Sequence, residues 1–110
     1  MFCLVGPTSA FAHAELVNSS PAANAAIKSA PAELRLSFSE RVELAFSKVS
    51  LTGAAKEKVE TGPMALDTKD DKVLVVPVRT PLAPGTYTVE WSVVSADGHK
   101  SKGGFHFTVE

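Results

Sequence analysis

The stretch Leu82-Ala83-Pro84-Gly85-Thr86-Tyr87-Thr88-Val89-Glu90-Trp91-Ser92-Val93 decides the fold class. Tyr87, Val89, Trp91 and Val93 alternate with Thr88, Glu90 and Ser92. A period of two puts the apolar set on one face of an extended chain, which predicts a long half-buried strand. The breaker Pro84-Gly85 stands just before it. A tyrosine in that position fits a sandwich corner, where its hydroxyl bonds back to the chain.

Working outward, Phe105, Phe107 and Val109 alternate with His106 and Thr108 and predict the closing strand. Leu34, Leu36 and Phe38 alternate with Arg35, Ser37 and Ser39. Val42, Leu44 and Phe46 keep that parity, whereas Val49 and Leu51 take the other, so a bulge or tight bend is expected near Ser47-Lys48. Val73 to Val78 is a nearly continuous apolar run that fits a strand buried on both faces, with Pro77 near an edge or strand end. Ala14 to Asn18 is a short first strand. The alanine-rich stretch from Pro21 to Ala30 has room for one helical turn, kept short by Asn24 and the flanking prolines. Ser20-Pro21, Ala30-Pro31 and Gly62-Pro63 separate these runs. About seven short strands with regular turn signals predict an all-β protein, a Greek-key β-sandwich of immunoglobulin-like or cupredoxin-like form. No internal repeat or low-complexity segment interrupts it, and residues 13–110 are expected to be one domain.

Bulk properties narrow the function classes. Of the 110 residues, 45% are hydrophobic and 21% charged, the composition of a soluble globular chain. A formal net charge of −1 lacks the basic footprint of a nucleic-acid binder or of a polybasic membrane clamp. No apolar run reaches the length of a membrane-crossing helix. Residues 1–12 differ from the rest: they carry no charge, hold Phe2, Cys3, Leu4, Val5 and Phe11, and end in Ala10-Phe11-Ala12. That is the small-x-small pattern of a signal peptide cut before His13. A complete leader has a longer apolar stretch and a basic start, so this one is expected to be truncated. Cleavage removes Cys3, the only cysteine, and with it any disulfide or thiolate chemistry.

The chemistry then falls to three histidines, His13, His99 and His106, and to the segment Asp97-Gly98-His99. No Gly-x-Ser-x-Gly elbow, phosphate loop, HExxH or CxxC occurs. A mature chain beginning with His13 offers its α-amine and imidazole Nδ1 as a chelate for one metal ion. Reference pKa values near 8 and 6.5 let both act as neutral ligands near neutral pH. Nitrogen donors with an oxygen suit Cu(II). Asp97 and His99 are two residues apart, so both point to one side, and Gly98 between them permits a turn. They follow the long strand, at the end of the sandwich that the first strand's start can reach. Together the three residues make an N₃O set. Taken alone, Asp97-Gly98 is an ordinary turn pair, and the metal reading depends on cleavage before His13.

At these residues the sequence resembles the CopC family of periplasmic copper-binding proteins. The matching positions are His13-Ala14 with Leu16, Ser20-Pro21-Ala22, Ala30-Pro31 with Leu34, Leu36 and Phe38-Ser39-Glu40, Leu82, Pro84 through Trp91, Ser95, Asp97-Gly98-His99, and Gly103 with Phe105, Phe107 and Val109. The resemblance implies a Greek-key sandwich that binds one Cu(II) through His13, Asp97 and His99. It also implies a periplasmic monomer in copper resistance, storage or delivery, with an inner-membrane copper transporter of the CopD type as partner. Some members bind Cu(I) in a methionine-rich loop. The corresponding region here holds only Met64, so no Cu(I) methionine site is expected and Met64 is read as packing. Glu40 matches a family position and is read first as an exposed strand-end acid, then as a minor oxygen donor. His106 is read as a solvated strand histidine. Two other classes stay open. One is a copper-dependent oxidative enzyme built on an N-terminal histidine chelate, for which this chain has few aromatic residues to make a substrate surface. The other is a metal-free secreted sandwich module.

Overall fold

Residues 14–110 are described by the computed structural model; the leader and His13 lie outside them. The chain runs β1 (Leu16–Ser20), β2 (Ala26–Ile27), β3 (Glu33–Phe38), a 3-10 turn (Leu44–Phe46), β4 (Lys48–Thr52), β5 (Lys58–Val59), β6 (Ala65–Leu66), β7 (Val73–Pro77), β8 (Gly85–Val94) and β9 (Lys100–Val109). One sheet has the order β1-β3-β7-β6 and the other β2-β9-β8-β4-β5. All pairings are antiparallel except β2 with β9. The described residues form nine strands where about seven were expected, because β2, β5 and β6, of two residues each, are added and the run from Val42 to Phe46 is not a strand. Pieces that short carry no readable periodicity.

The alternation read from the sequence becomes the core. Leu34, Leu36 and Phe38 of β3 and Leu74 and Val76 of β7 face Leu51, Val89, Val93, Phe105 and Phe107 of the other sheet, all of them buried. β8 and β9 pair over ten positions, from Gly85 with Val109 to Val94 with Lys100. A one-residue slip would turn every core side chain of that hairpin outward. Pro77 ends β7 opposite Glu33, as a residue without a donor should. β7 is less completely buried than the run suggested, since Val75 keeps partial exposure.

Three local expectations change. The first strand begins at Leu16 rather than Ala14 and runs to Ser20. The segment after Pro21 makes no helical turn: Asn24 adopts φ 65°, and Ala26–Ile27 lies along β9 instead. The edge of β9 supplies the partners, with Asn24 N–H on the His106 carbonyl at 2.7 Å and Thr108 N–H on the Ala25 carbonyl at 2.8 Å. The parity of Val42, Leu44 and Phe46 does not belong to a strand. Val42 is a buried bridge partner of Ser95, Leu44 is half-buried, and Phe46 projects with 70% of its surface exposed. Ser47 closes this turn, donating from Oγ to the Glu43 carbonyl at 2.8 Å while its backbone N–H bonds the Leu44 carbonyl at 3.2 Å. The bend expected near Ser47-Lys48 is therefore a 3-10 turn that resets the parity for β4.

The sandwich corner forms as the sequence suggested. Tyr87 Oη donates to the Ala83 carbonyl at 2.6 Å, and its ring stacks on Phe107 at 5.6 Å. Tyr87→Phe keeps the stack and removes the donor. It should destabilise the fold by about 1 kcal/mol, the net value of one such bond. Urea unfolding should show a lower midpoint at unchanged slope; an unmoved midpoint would show that the corner bond carries no stability.

Candidate metal centre

The centre is built on the connection between β8 and β9. Ser95 follows β8 with no exposed surface and is bridged to Val42. Its backbone N–H bonds the His99 carbonyl at 2.8 Å, and Gly98 N–H bonds the Ser95 carbonyl at 2.8 Å. Gly98 sits at φ +91°, in the left-handed region that side chains disfavour. This turn explains why a glycine separates the two candidate ligands, and it brings their side chains together. Asp97 Oδ1 lies 3.2 Å from His99 Nδ1, with both side chains about half exposed, at 48% and 54%.

A second group fixes the aspartate. The Ser95 hydroxyl donates to Asp97 Oδ1 in a short hydrogen bond. The same oxygen lies 3.3 Å from the His99 carbonyl, but a hydroxyl has one proton, and the shorter contact takes it. The Ser95 bond first, and the His99 contact second, hold the Asp97 carboxyl below the ordinary aspartate range. Asp97 is thus an anion across the physiological range.

The chain start arrives at the same end. The Ala14 carbonyl accepts from Ser101 Oγ at 2.5 Å, and Ala14 has no exposed surface. Glu15 N–H donates to Ser39 Oγ at 2.9 Å, and Ser39 N–H returns a bond to the Glu15 carbonyl at 2.8 Å. Ser101 is only two residues past His99. Residue 13 is one peptide link from Ala14, a Cα step of about 3.8 Å. Asp97 and His99 are thus brought together, and Ala14 is bonded to Ser101, on the strand that leaves their turn; His13 itself is outside the described residues. Among the described residues, no group of three or more His, Cys, Asp or Glu side chains forms a metal cluster.

The other singled-out residues separate clearly. His106 is exposed on the outer face of the second sheet, its Nδ1 3.3 Å from Thr88 Oγ1. Seven residues of extended chain put it about 20 Å from His99. Glu40 is half-buried. Its neighbours on either side meet the site segments: Ser39 pairs with Glu15, and the Arg41 carbonyl accepts Ala96 N–H at 3.0 Å. Met64 packs against the core, as read. Trp91 also packs there but stays only partly buried. It meets Phe38 edge-on at 5.1 Å and lies over Gly103, where an added Cβ would come within 2.7 Å of its ring.

Sequence reasoning assigned no role to Ser95 or Ser101. The signal for Ser95 was the Ser-x-Asp spacing, which favours a local side-chain bond. The signal for Ser101 was parity: counting back from Phe107 and Phe105 through Gly103, it is a polar residue at an inward position of β9.

Comparison with known proteins gives the family. The CopC domain family matches residues 16–110. Protein YobA of Escherichia coli K12 is 49% identical over 97% of this chain and 86% of its own length. Copper resistance protein C of Xanthomonas campestris pv. juglandis is 43% identical over 93% of this chain and 84% of its own. The crystal structure of PcoC, a methionine-rich copper resistance protein from Escherichia coli, superposes with a TM-score of 0.80 and 38% identity, covering 90% of this chain and all of that one. With the family match spanning both sheets and the Asp97–His99 turn, this chain belongs to the CopC family of copper resistance proteins.

Proposed function

We propose that this protein binds one Cu(II) per chain, through the α-amine and imidazole of His13, the carboxylate of Asp97 and the imidazole of His99. It carries or stores the ion rather than performing redox chemistry on it. The observation that carries the reading is the pairing of Asp97 with His99 beside a pinned Ala14. Two nitrogens from one residue, one from His99 and one anionic oxygen suit the tetragonal preference of Cu(II). The half-exposed ligands at the end of a rigid sandwich leave the ion accessible for exchange with a partner.

Several features support the wider reading. Met64 is the one methionine beyond the first residue, and it is engaged in packing, so soft thioether ligation of Cu(I) has no donor set here. The Ala10-Phe11-Ala12 leader is cut before His13, releasing a domain of residues 13–110 into the periplasm. There the protein acts as a monomer and hands copper to an inner-membrane transporter of the CopD type.

His99→Ala should weaken Cu(II) binding by about 10-fold or more. It should also remove one nitrogen from the electron paramagnetic resonance spectrum. His106→Ala, on the outer face, should leave both unchanged. A wild-type spectrum and affinity in His99→Ala would exclude the site.

Binding should weaken as pH falls, because protons compete for the same nitrogens. Asp97 contributes little to that loss: its carboxyl is held below the ordinary range, so it stays ionised in mild acid. The logarithm of the apparent affinity should therefore fall as pH falls, more steeply as more of the three nitrogens take up protons. A competition titration from pH 8 to pH 5 measures the slope; a flat profile would contradict nitrogen ligation.

A further inference from the structure

A metal ligand on the first residue of a chain is effective only when that end is already held, because ordering a free end on binding costs affinity. We propose that Ser101 is the positioning residue that holds it. This inference rests on the N₃O reading above and adds a residue that does not itself touch the ion.

The argument begins with one peptide plane. Ala14 C=O and Glu15 N–H belong to the same rigid unit. Ser101 Oγ–H holds its carbonyl edge at 2.5 Å, and Ser39 Oγ holds its N–H edge at 2.9 Å. The plane is therefore bonded at both edges, and residue 13 is joined to Ala14 through the next peptide bond. Ala14 is completely buried, so its Cα has no room to drift once the carbonyl is engaged.

The placement of Ser101 ties the latch to the other ligands. In β9 the inward positions Phe105 and Phe107 are apolar and fill the core. Ser101 occupies the same face opposite Val93, where a polar side chain needs a partner. Its partner is 87 positions away in sequence, at the chain start. The five residues from Asp97 to Ser101 thus carry two proposed ligands and the group that sets the third. Any movement of the hairpin end carries all three together.

Ser101→Ala removes the latch, and Ser101→Thr retains the hydroxyl with a side chain suited to a strand. Both variants are made in the secreted, processed chain and titrated with Cu(II) alone against a competing chelator. Amide relaxation of the copper-free proteins reports order at Ala14 and across Asp97–His99. Ser101→Ala should bind Cu(II) about 10-fold more weakly, the scale of a lost supporting contact at a metal site. Its Ala14 amide should become mobile while the Asp97–His99 turn stays ordered, and Ser101→Thr should restore both values. Affinity of Ser101→Ala within twofold of wild type overturns the proposal. So does mobility that spreads to the Asp97–His99 turn, which would make Ser101 a general support of the hairpin. Failure of threonine to restore binding also overturns it. If wild type takes up no Cu(II), the N₃O reading falls instead, and the relaxation data still decide whether Ser101 orders Ala14.

Discussion

The ten-pair register between β8 and β9 is the constraint on which the rest of the structure depends. It sends Tyr87, Val89 and Val93 inward against Phe105 and Phe107, and so defines half of the core. It also fixes how the hairpin ends. After Val94 pairs with Lys100, Ser95 to His99 must close the gap, and they do so with a turn that only a left-handed Gly98 accommodates easily. The same pairing that buries the aromatic residues thus presents Asp97 and His99 side by side. Ser95 joins the two roles: its backbone continues the ladder to His99, and its hydroxyl orients the Asp97 carboxylate.

The site end also gathers segments distant in sequence. The Val42–Ser95 bridge and the bond from Ala96 to Arg41 bring the stretch after β3 against the turn. Ser39 and Ser101 clasp the Ala14–Glu15 peptide from two sheets. Phe38 and Trp91 pack edge-on beneath, with Gly103 leaving space for the indole. Side chains that would be mobile on an isolated hairpin are thereby given a rigid base, and a rigid base lets half-exposed side chains such as Asp97 and His99 keep a defined geometry.

Legibility in the sequence followed the range of each interaction. The long strands were readable because period-two burial writes itself into every residue, as in Leu34, Leu36 and Phe38 or in Tyr87, Val89 and Val93. Phe46 misled because its parity continued that of Val42 across a 3-10 turn, whose hydrogen bonds leave no apolar signature. β2 was invisible because the open edge of β9, not the sequence of Ala26–Ile27, makes it a strand. The site divides in the same way. The pairing of Asp97 with His99 was legible because both side chains and their turn are local. The bond from Ser101 to Ala14 spans nearly the whole chain, and no local pattern announces it beyond a polar residue on an inward face.

The proposed site depends on a free amine at His13, the residue joined to the bonded Ala14. A chain with one glycine added before His13 keeps every side chain and the whole sandwich but turns that amine into an amide. An amide nitrogen is a poor ligand while it keeps its proton. Cu(II) titration of the glycine-extended and processed chains, with electron paramagnetic resonance on each, tests the account most directly. The account predicts that the extended chain loses about 10-fold or more in affinity and that its spectrum loses a nitrogen. Equal affinity and an identical spectrum would contradict it, since the amine would then not be a ligand.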